Sequence, residues 1–298
     1  MVSAFQPQEK LNERNNKNVC CIFCKSENTV KKGFRGTMNR GKIQRFSCKN
    51  CGKNFCKDEG FYRMRNSEAK ITKAVDLYFS NLSSRKVRNN YRRHENTAVS
   101  HVTVLDWCRK YAMKVQKLVD RLQPQLSGQY YADETEINRG KNNDIFWCSV
   151  DWGTRFINAT FYSPNNQNIL DASRFMERIK HSGSPQFIQT DYANFYPEAV
   201  KNVFGRKAKH YRNNVSKSGK HNVRIETVFS KIKDRVDDFR GLKALWSAPI
   251  LMAGIVLQHN FIENHTTTGK LPCELAGLKL EAGINRWLGL IKLSSQSI

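Results

Sequence analysis

The sequence has no apolar run approaching the roughly 20 residues that a helix needs to cross a bilayer. The stretch from Met1 to Val19 is mostly polar and has no signal-peptide core, so neither a membrane span nor a cleaved leader is expected. The pattern of an extracellular disulfide framework is also missing. The nine cysteines are odd in number, and four of them fall in two C-x-x-C pairs. A reducing, cytoplasmic setting is expected. No internal repeat is found. Acids are scarce, with 26 Asp and Glu against 50 Lys and Arg, for a formal net charge of +24.

That surplus is uneven. Residues 1–127 hold 27 basic and 10 acidic side chains, a difference of +17, and residues 128–298 hold 23 and 16, a difference of +7. A charge of this size draws polyanions by counterion release, and nucleic acid is the commonest such partner. At 298 residues, two or three folding units are expected, and 39% hydrophobic content is enough for at least one core.

Residues 1–19 read as a flexible basic tail, and 20–60 as a short cysteine-bearing unit. From 67 to 124 apolar residues recur at helical spacing, among them Ile71, Val75, Tyr78, Trp107, Tyr111, Val115 and Leu118. Pro124 and Ser127-Gly128 punctuate the chain, and a new unit spans 128–265, followed by a tail over 266–298. In that unit Tyr130–Ile137, Ile145–Asp151 and Phe156–Tyr162 read as strands. A helix is expected from Ile169 to Lys180, a buried strand from Phe187 to Thr190 and a helix from Ala193 to Phe204. Lys207–Arg212 is a further candidate strand, and helices follow from Asn222 to Phe239 and from Leu245 to Glu263.

Cys21-x-x-Cys24 and Cys48-x-x-Cys51 are separated by 23 residues. Two such knuckles supply the four tetrahedral thiolates that a structural Zn²⁺ requires, and the metal would supply much of the folding energy of so small a unit. The two-residue spacing favours Cys21 over Cys20, with Cys20 and Cys56 as spare thiols. The ribbon between the pairs would present Lys31, Lys32, Arg35, Arg40, Lys42 and Arg45 to DNA. In the helical segment Ser100 is an N-cap candidate for a helix that begins at His101. The segment resembles a helix-turn-helix whose last helix enters the major groove, with His101, Thr103 and Arg109 as groove-facing candidates. The plain alternative is a three-helix packing module with a solvated basic face.

Along Tyr131–Ile137 the period of two puts Asp133, Thr135 and Ile137 on one face and Glu134 and Glu136 on the other. An acid on a strand among apolar neighbours is costly unless a cation neutralises it. Phe187–Thr190 ends on a second acid, Asp191. Glu226 lies 34 intervening residues later, inside a basic helix, with Lys233 two turns beyond it.

With these acids in order, the chain resembles the DDE-type transposases of bacterial and archaeal insertion sequences, within the retroviral-integrase-like superfamily. The matching segments are Ala132-Asp133-Glu134-Thr135, Thr190-Asp191 and Asn222-x-x-Ile225-Glu226-x-x-x-Ser230-x-Ile232-Lys233. The tail from His259-Asn260-Phe261 through His265 to Gly269-Lys270-Leu271-Pro272 is similar too. The resemblance covers about 130–280, and it implies an α/β, RNase H-like fold: a mixed five-stranded sheet flanked by helices, behind a zinc ribbon and a helix-turn-helix module. It further implies Asp133, Asp191 and Glu226 as catalytic ligands of two Mg²⁺ or Mn²⁺ ions roughly 3.5–4 Å apart, suited to in-line displacement at a phosphodiester. Asp133 would bridge the two ions, while Lys233, Arg224 and Lys231 would contact the DNA backbone. The partners implied are double-stranded DNA, both terminal repeats and target, and further copies of the chain on DNA. The setting implied is a prokaryotic cytoplasm, beside the nucleoid.

Asp151, at the end of a strand beside Trp152-Gly153, is read as a turn-forming residue rather than the second ligand. Glu134 and Glu136 are expected to be solvated or paired. Trp147, Trp152, Trp246 and Trp287 are expected in the core, and His210 and His221 are candidates for substrate contact. Two other readings stay open: a catalytically inactive DNA-binding regulator derived from a transposase, and another RNase H-like nuclease, for which a fourth acid would need a home.

Overall fold

The computed structural model describes residues 19–37, 41–57, 59–164, 167–212, 223–238 and 242–296. The expected basic tail up to residue 18, Arg40, the 213–221 loop with His221 and the side chain of Arg224 lie outside these. The chain divides into two compact units, Met1–Ser67 and Glu68–Ile298.

In the first unit, strands β1 (Thr29–Thr37), β2 (Gly41–Cys48) and β3 (Asn54–Cys56) form an antiparallel sheet in that order. Its core is small: Cys21, Phe46, Cys48 and Phe55, with Val19, Ile22 and Cys51 against them. The rings of Phe46 and Phe55 stack at 5.7 Å. β1 buries none of its side chains fully, so apolar area alone gives this sheet little reason to hold together.

The second unit opens with α1 (Glu68–Phe79), α2 (Ser84–His94) and α3 (His101–Val119). Ser83 and Ser100 cap the last two, each hydroxyl accepting from a backbone NH of the first turn. The sheet consists of β4 (Gln129–Arg139), β5 (Asn142–Asp151), β6 (Ile157–Ser163), β7 (Phe187–Thr190) and β8 (Lys209–Arg212), in the order β6-β5-β4-β7-β8. β4, β5 and β6 are antiparallel neighbours, and β7 lies parallel to both β4 and β8. This mixed five-stranded sheet is the RNase H-like arrangement.

Helices α4 (Ile169–Ser182) and α5 (Tyr196–Phe204) cover one face, where Tyr130, Ala132 and Trp147 pack with Phe175, Met176, Ile179 and Tyr196. α6 (Val223–Asp238) lies against β4 and β5. Then come α7 (Ala248–Leu257), a π-turn (Gln258–Ile262), the short α8 (Pro272–Leu275) and α9 (Arg286–Gln296).

The helical segment is not hung beside the sheet. α1 and α3 pack on α7 and α9 within the same unit. Gly254 of α7 makes this closeness possible, because a Cβ there would fall 2.1 Å from Cζ of Phe79. Phe79 in turn stacks on Trp287 of α9 at 5.6 Å. Much of the stretch set apart as a tail is thus part of this core, with Trp287, Leu290 and Ile291 buried. The π-turn is held by side chains: Asn260 both accepts from Ile157 N and donates to Ile157 O, at 2.9 Å each, as a paired strand residue does. Arg235 of α6 is buried and donates to both carboxylate oxygens of Glu263 and to Asn81, tying α6 to the π-turn and the α1–α2 turn.

Candidate active site

β7 is only four residues long, and it pairs with β4 only at Gln129, Tyr130 and Tyr131. Between Tyr131 and the bridge from Arg139 to Leu242, no described strand pairs with that side of β4. Asp133 faces the α6 side of the sheet with the buried Thr135 and Ile137, while Glu134, opposite Trp147, faces the α5 side. At an open edge the two faces meet. Carboxylate oxygens of Asp133, Glu134 and Asp191, the last directly after β7, lie within 4.8 Å of one another. The backbone NH of Glu134 donates to Asp133 at 2.9 Å, and that of Ala193 to Asp191 at 3.0 Å, which orients both groups.

The electrostatics follow from this crowding. Burial, followed by the charge of Glu134, pushes the Asp133 carboxyl up to about 7, with Asp191 and Glu226 adding to the effect. Burial also lifts Glu134 to about 7; Asp191 adds to the rise, and the hydrogen bonds from Tyr196 and Gln167 offset part of it. Like charges held together in a partly dry place favour a proton or a cation. A divalent cation fits this all-oxygen donor set.

Asp133 and Asp191 therefore meet as the sequence suggests. Glu226 sits on the first turn of α6, exposed, near enough to act on Asp133 but outside the tight group. Glu134, expected to be solvated or paired, is paired with Tyr196 and Gln167, but it also stands in the acid group, which the expectation left out. Its strand face was read rightly; the early end of β7, which lets both faces converge, leaves no mark in the strand's own pattern. Asp151 is spent on the turn as expected. Fully buried, it accepts from Ser127 N and Oγ and from Thr154 N and Oγ1 at 2.7–2.9 Å.

In the first unit the thiols of Cys21, Cys24, Cys48 and Cys51 converge, whereas Cys20 and Cys56 stay outside the group. The Sγ atoms of Cys21 and Cys51 lie 3.7 Å apart and those of Cys24 and Cys48 3.5 Å apart. Zn–S bonds of 2.3 Å give a tetrahedral edge of about 3.8 Å, so the residues fit the ion. Each knuckle turns through a residue of positive φ directly after its second cysteine, Lys25 at 62° and Gly52 at 69°. The backbone NH of Cys51, ahead of other contacts, brings the Cys48 thiol down to about 6.

The expected DNA-facing residues fare differently. Lys31 and Lys32 are exposed on β1, and Arg45 is half-buried on β2. Lys233 is exposed on α6, and Lys231 is half-buried there, where its charge helps lower the pKa of His259 and His265. His101 is half-buried, and the Thr103 hydroxyl lies 2.9 Å from that of Ser100. Arg109 is corrected. Its guanidinium donates to Ser247 at 2.7 Å and covers the Trp246 ring at 4.7 Å, so α3 turns this side chain toward α7 and not outward. Trp147 and Trp287 are core residues, but Trp152 and Trp246 are corrected too, at 38% and 65% exposed. His210 is engaged with the Thr190 hydroxyl at 2.9 Å.

An RNase H-like sheet with acids gathered at its open edge defines a class of phosphoryl-transfer domains. Within that class, residues 127–265 match the family model of a DDE domain of the IS240 transposase type. No curated protein matches the chain. Among solved structures, the chain is similar to the catalytic core domain of BIV integrase, at 15% identity and TM-score 0.37, covering 50% of this chain and 93% of that one. It is similar to a chain of the simian T-cell lymphotropic virus intasome in complex with the PP2A regulatory subunit B56 gamma (14% identity, TM-score 0.40, 68% and 74% covered). It is also similar to the HTLV-2 integrase catalytic core domain in complex with magnesium (16% identity, TM-score 0.35, 52% and 98% covered). Among the described residues no helix is long and apolar enough to cross a membrane.

Proposed function

We propose that this protein is the transposase of an insertion sequence, which binds the terminal repeats of its element, cleaves a strand there and joins the freed 3′ end to target DNA. The observation that carries this reading is the meeting of Asp133 and Asp191 at the open edge of β4, inside the stretch that matches a DDE domain. Asp133, Asp191 and Glu226 are the carboxylates assigned to two Mg²⁺ or Mn²⁺ ions, which when bound activate water and stabilise charge on the leaving oxygen. The chain's own part is positioning. Asp133 stands beside Asp191 and is oriented by the Glu134 NH, and Lys233, Lys231 and Arg224 on α6 steady the DNA backbone beside them.

The four cysteines hold a structural Zn²⁺, and Lys31, Lys32 and Arg45 on the ribbon, with His101 and Thr103 at the start of α3, contact the element end. Two ends must be held together, so the working form is a homo-oligomer on double-stranded DNA.

Purified protein with Mn²⁺ should nick and join a duplex carrying the repeats that flank its gene. Asp133→Asn should lower strand transfer by about 10³-fold or more while duplex binding persists; an Asn variant as active as wild type rules the assignment out. The exposure of Glu226 outside the acid group favours a second reading, an inactive DNA-binding regulator. Sequence-specific binding without any nicking by wild type would establish that reading.

A further inference from the structure

We propose that Glu134 is a fourth carboxylate ligand of this centre, binding a divalent cation alongside Asp133 and Asp191, with Tyr196 as the positioning residue that holds it there. The inference rests on the transposase reading in taking the centre to be cation-dependent.

Three observations carry it. An oxygen of Glu134 lies within 4.8 Å of oxygens of both other acids, although the strand period puts Glu134 on the opposite face from Asp133. The carboxylate is pinned, because the phenol of the fully buried Tyr196 donates to Oε2 and the Gln167 amide donates to Oε1. And among the described residues no Lys or Arg forms an ion pair with Asp133, Glu134 or Asp191.

The hydrogen bonds alone do not call for an acid at this position. A neutral Gln would accept from Tyr196 equally well and would be spared the repulsion of two neighbouring carboxylates. Negative charge kept in such a place is a net cost unless a cation joins it. Two donors leave about half of a carboxylate's four acceptor sites free. Tyr196 is anchored in the α5 core against Trp147, so it fixes Glu134 from a rigid element, as outer partners of metal ligands do.

The test is a Mn²⁺ titration of the full-length, zinc-loaded protein by calorimetry, with melting temperatures in the absence of Mn²⁺ alongside. Glu134→Gln should weaken Mn²⁺ binding about tenfold or more and leave the Mn²⁺-free melting temperature unchanged or higher. Tyr196→Phe should weaken binding as well, by a smaller factor. Wild-type affinity in E134Q, with binding lost in Asp133→Asn, overturns the role of Glu134 and leaves the transposase reading standing. If E134Q does not fold, a folded Y196F of wild-type affinity overturns the proposal in its place. A wild-type protein that binds no Mn²⁺ overturns both.

Discussion

The thiol cluster and the carboxylate cluster are each tight enough for one ion to bridge, yet they are built in opposite ways. The thiols come from two turns, each closed within four residues, joined by a hairpin. The carboxylates come from neighbouring positions on opposite faces of one strand and from a residue 57 positions after Glu134 (191 − 134), brought together because β7 stops short. The first cluster stands in place of a core, and the second is carried by a core that exists without it. Loss of the metal should therefore be structural in one unit and functional in the other.

The largest expected effect breaks that contrast or upholds it. Stripping zinc with a chelator, or Cys48→Ser, should unfold residues 19–67, since structural zinc contributes about 10–16 kcal/mol in comparable units. The second unit should melt as before. Amide NMR spectra that keep their dispersion for residues 19–67 after complete zinc removal would contradict this.

A smaller effect separates a structural acid from the ligands. Asp151→Asn disturbs a fully buried group that accepts four hydrogen bonds, and it should destabilise the second unit by about 1–3 kcal/mol with Mn²⁺ affinity unchanged. Asp191→Asn should do the reverse. Denaturant melts paired with Mn²⁺ titrations of both variants decide the matter, and loss of Mn²⁺ affinity in a stable D151N would reverse the assignment of Asp151 and Asp191.

The smallest effect is on pH dependence. Burial holds the Asp133 and Glu134 carboxyls at about 7, above their ordinary 3.8 and 4.5. Between those limits the folded chain binds more protons than the unfolded one, so stability without Mn²⁺ falls as pH rises through the window and levels off above it. Melting temperatures at pH 5 and pH 7.5 should differ more for wild type than for E134Q, and Mn²⁺ should narrow the difference. Equal slopes in the two proteins would show that this centre contributes nothing to it.

The contrast also explains what could be read in advance. Four ligands at fixed short spacing spell out a knuckle pair, and a short apolar run ending in Asp191 spells out a strand-end acid. Strand alternation put Asp133 and Glu134 on their proper faces. Where β7 would stop relative to β4 depends on tertiary register, which alternation does not encode, and so Glu134 was missed; the one hint was two adjacent acids on a strand that buries Ala132 and Thr135 on either side. Arg109 misled for a related reason. A basic residue on an amphipathic helix looks outward until another helix, here the start of α7 with Ser247 and Trp246, takes it up. Residues 266–298 were set apart as a tail although Trp287 was expected in a core; that it would close over Phe79 depends on tertiary packing, which the local sequence does not encode.

The tight seat of Phe79 against Gly254 bears on more than packing. Since α1 and α3 are locked to α7, a duplex bound as proposed at the start of α3 would be held at a set distance from Asp133 and Asp191. On the proposed function the chain would then work as a caliper, and the number of base pairs between the bound sequence and the scissile phosphate would be a property of the fold. Lengthening the 120–128 connection would leave that spacing alone, and enlarging Gly254 would blur it.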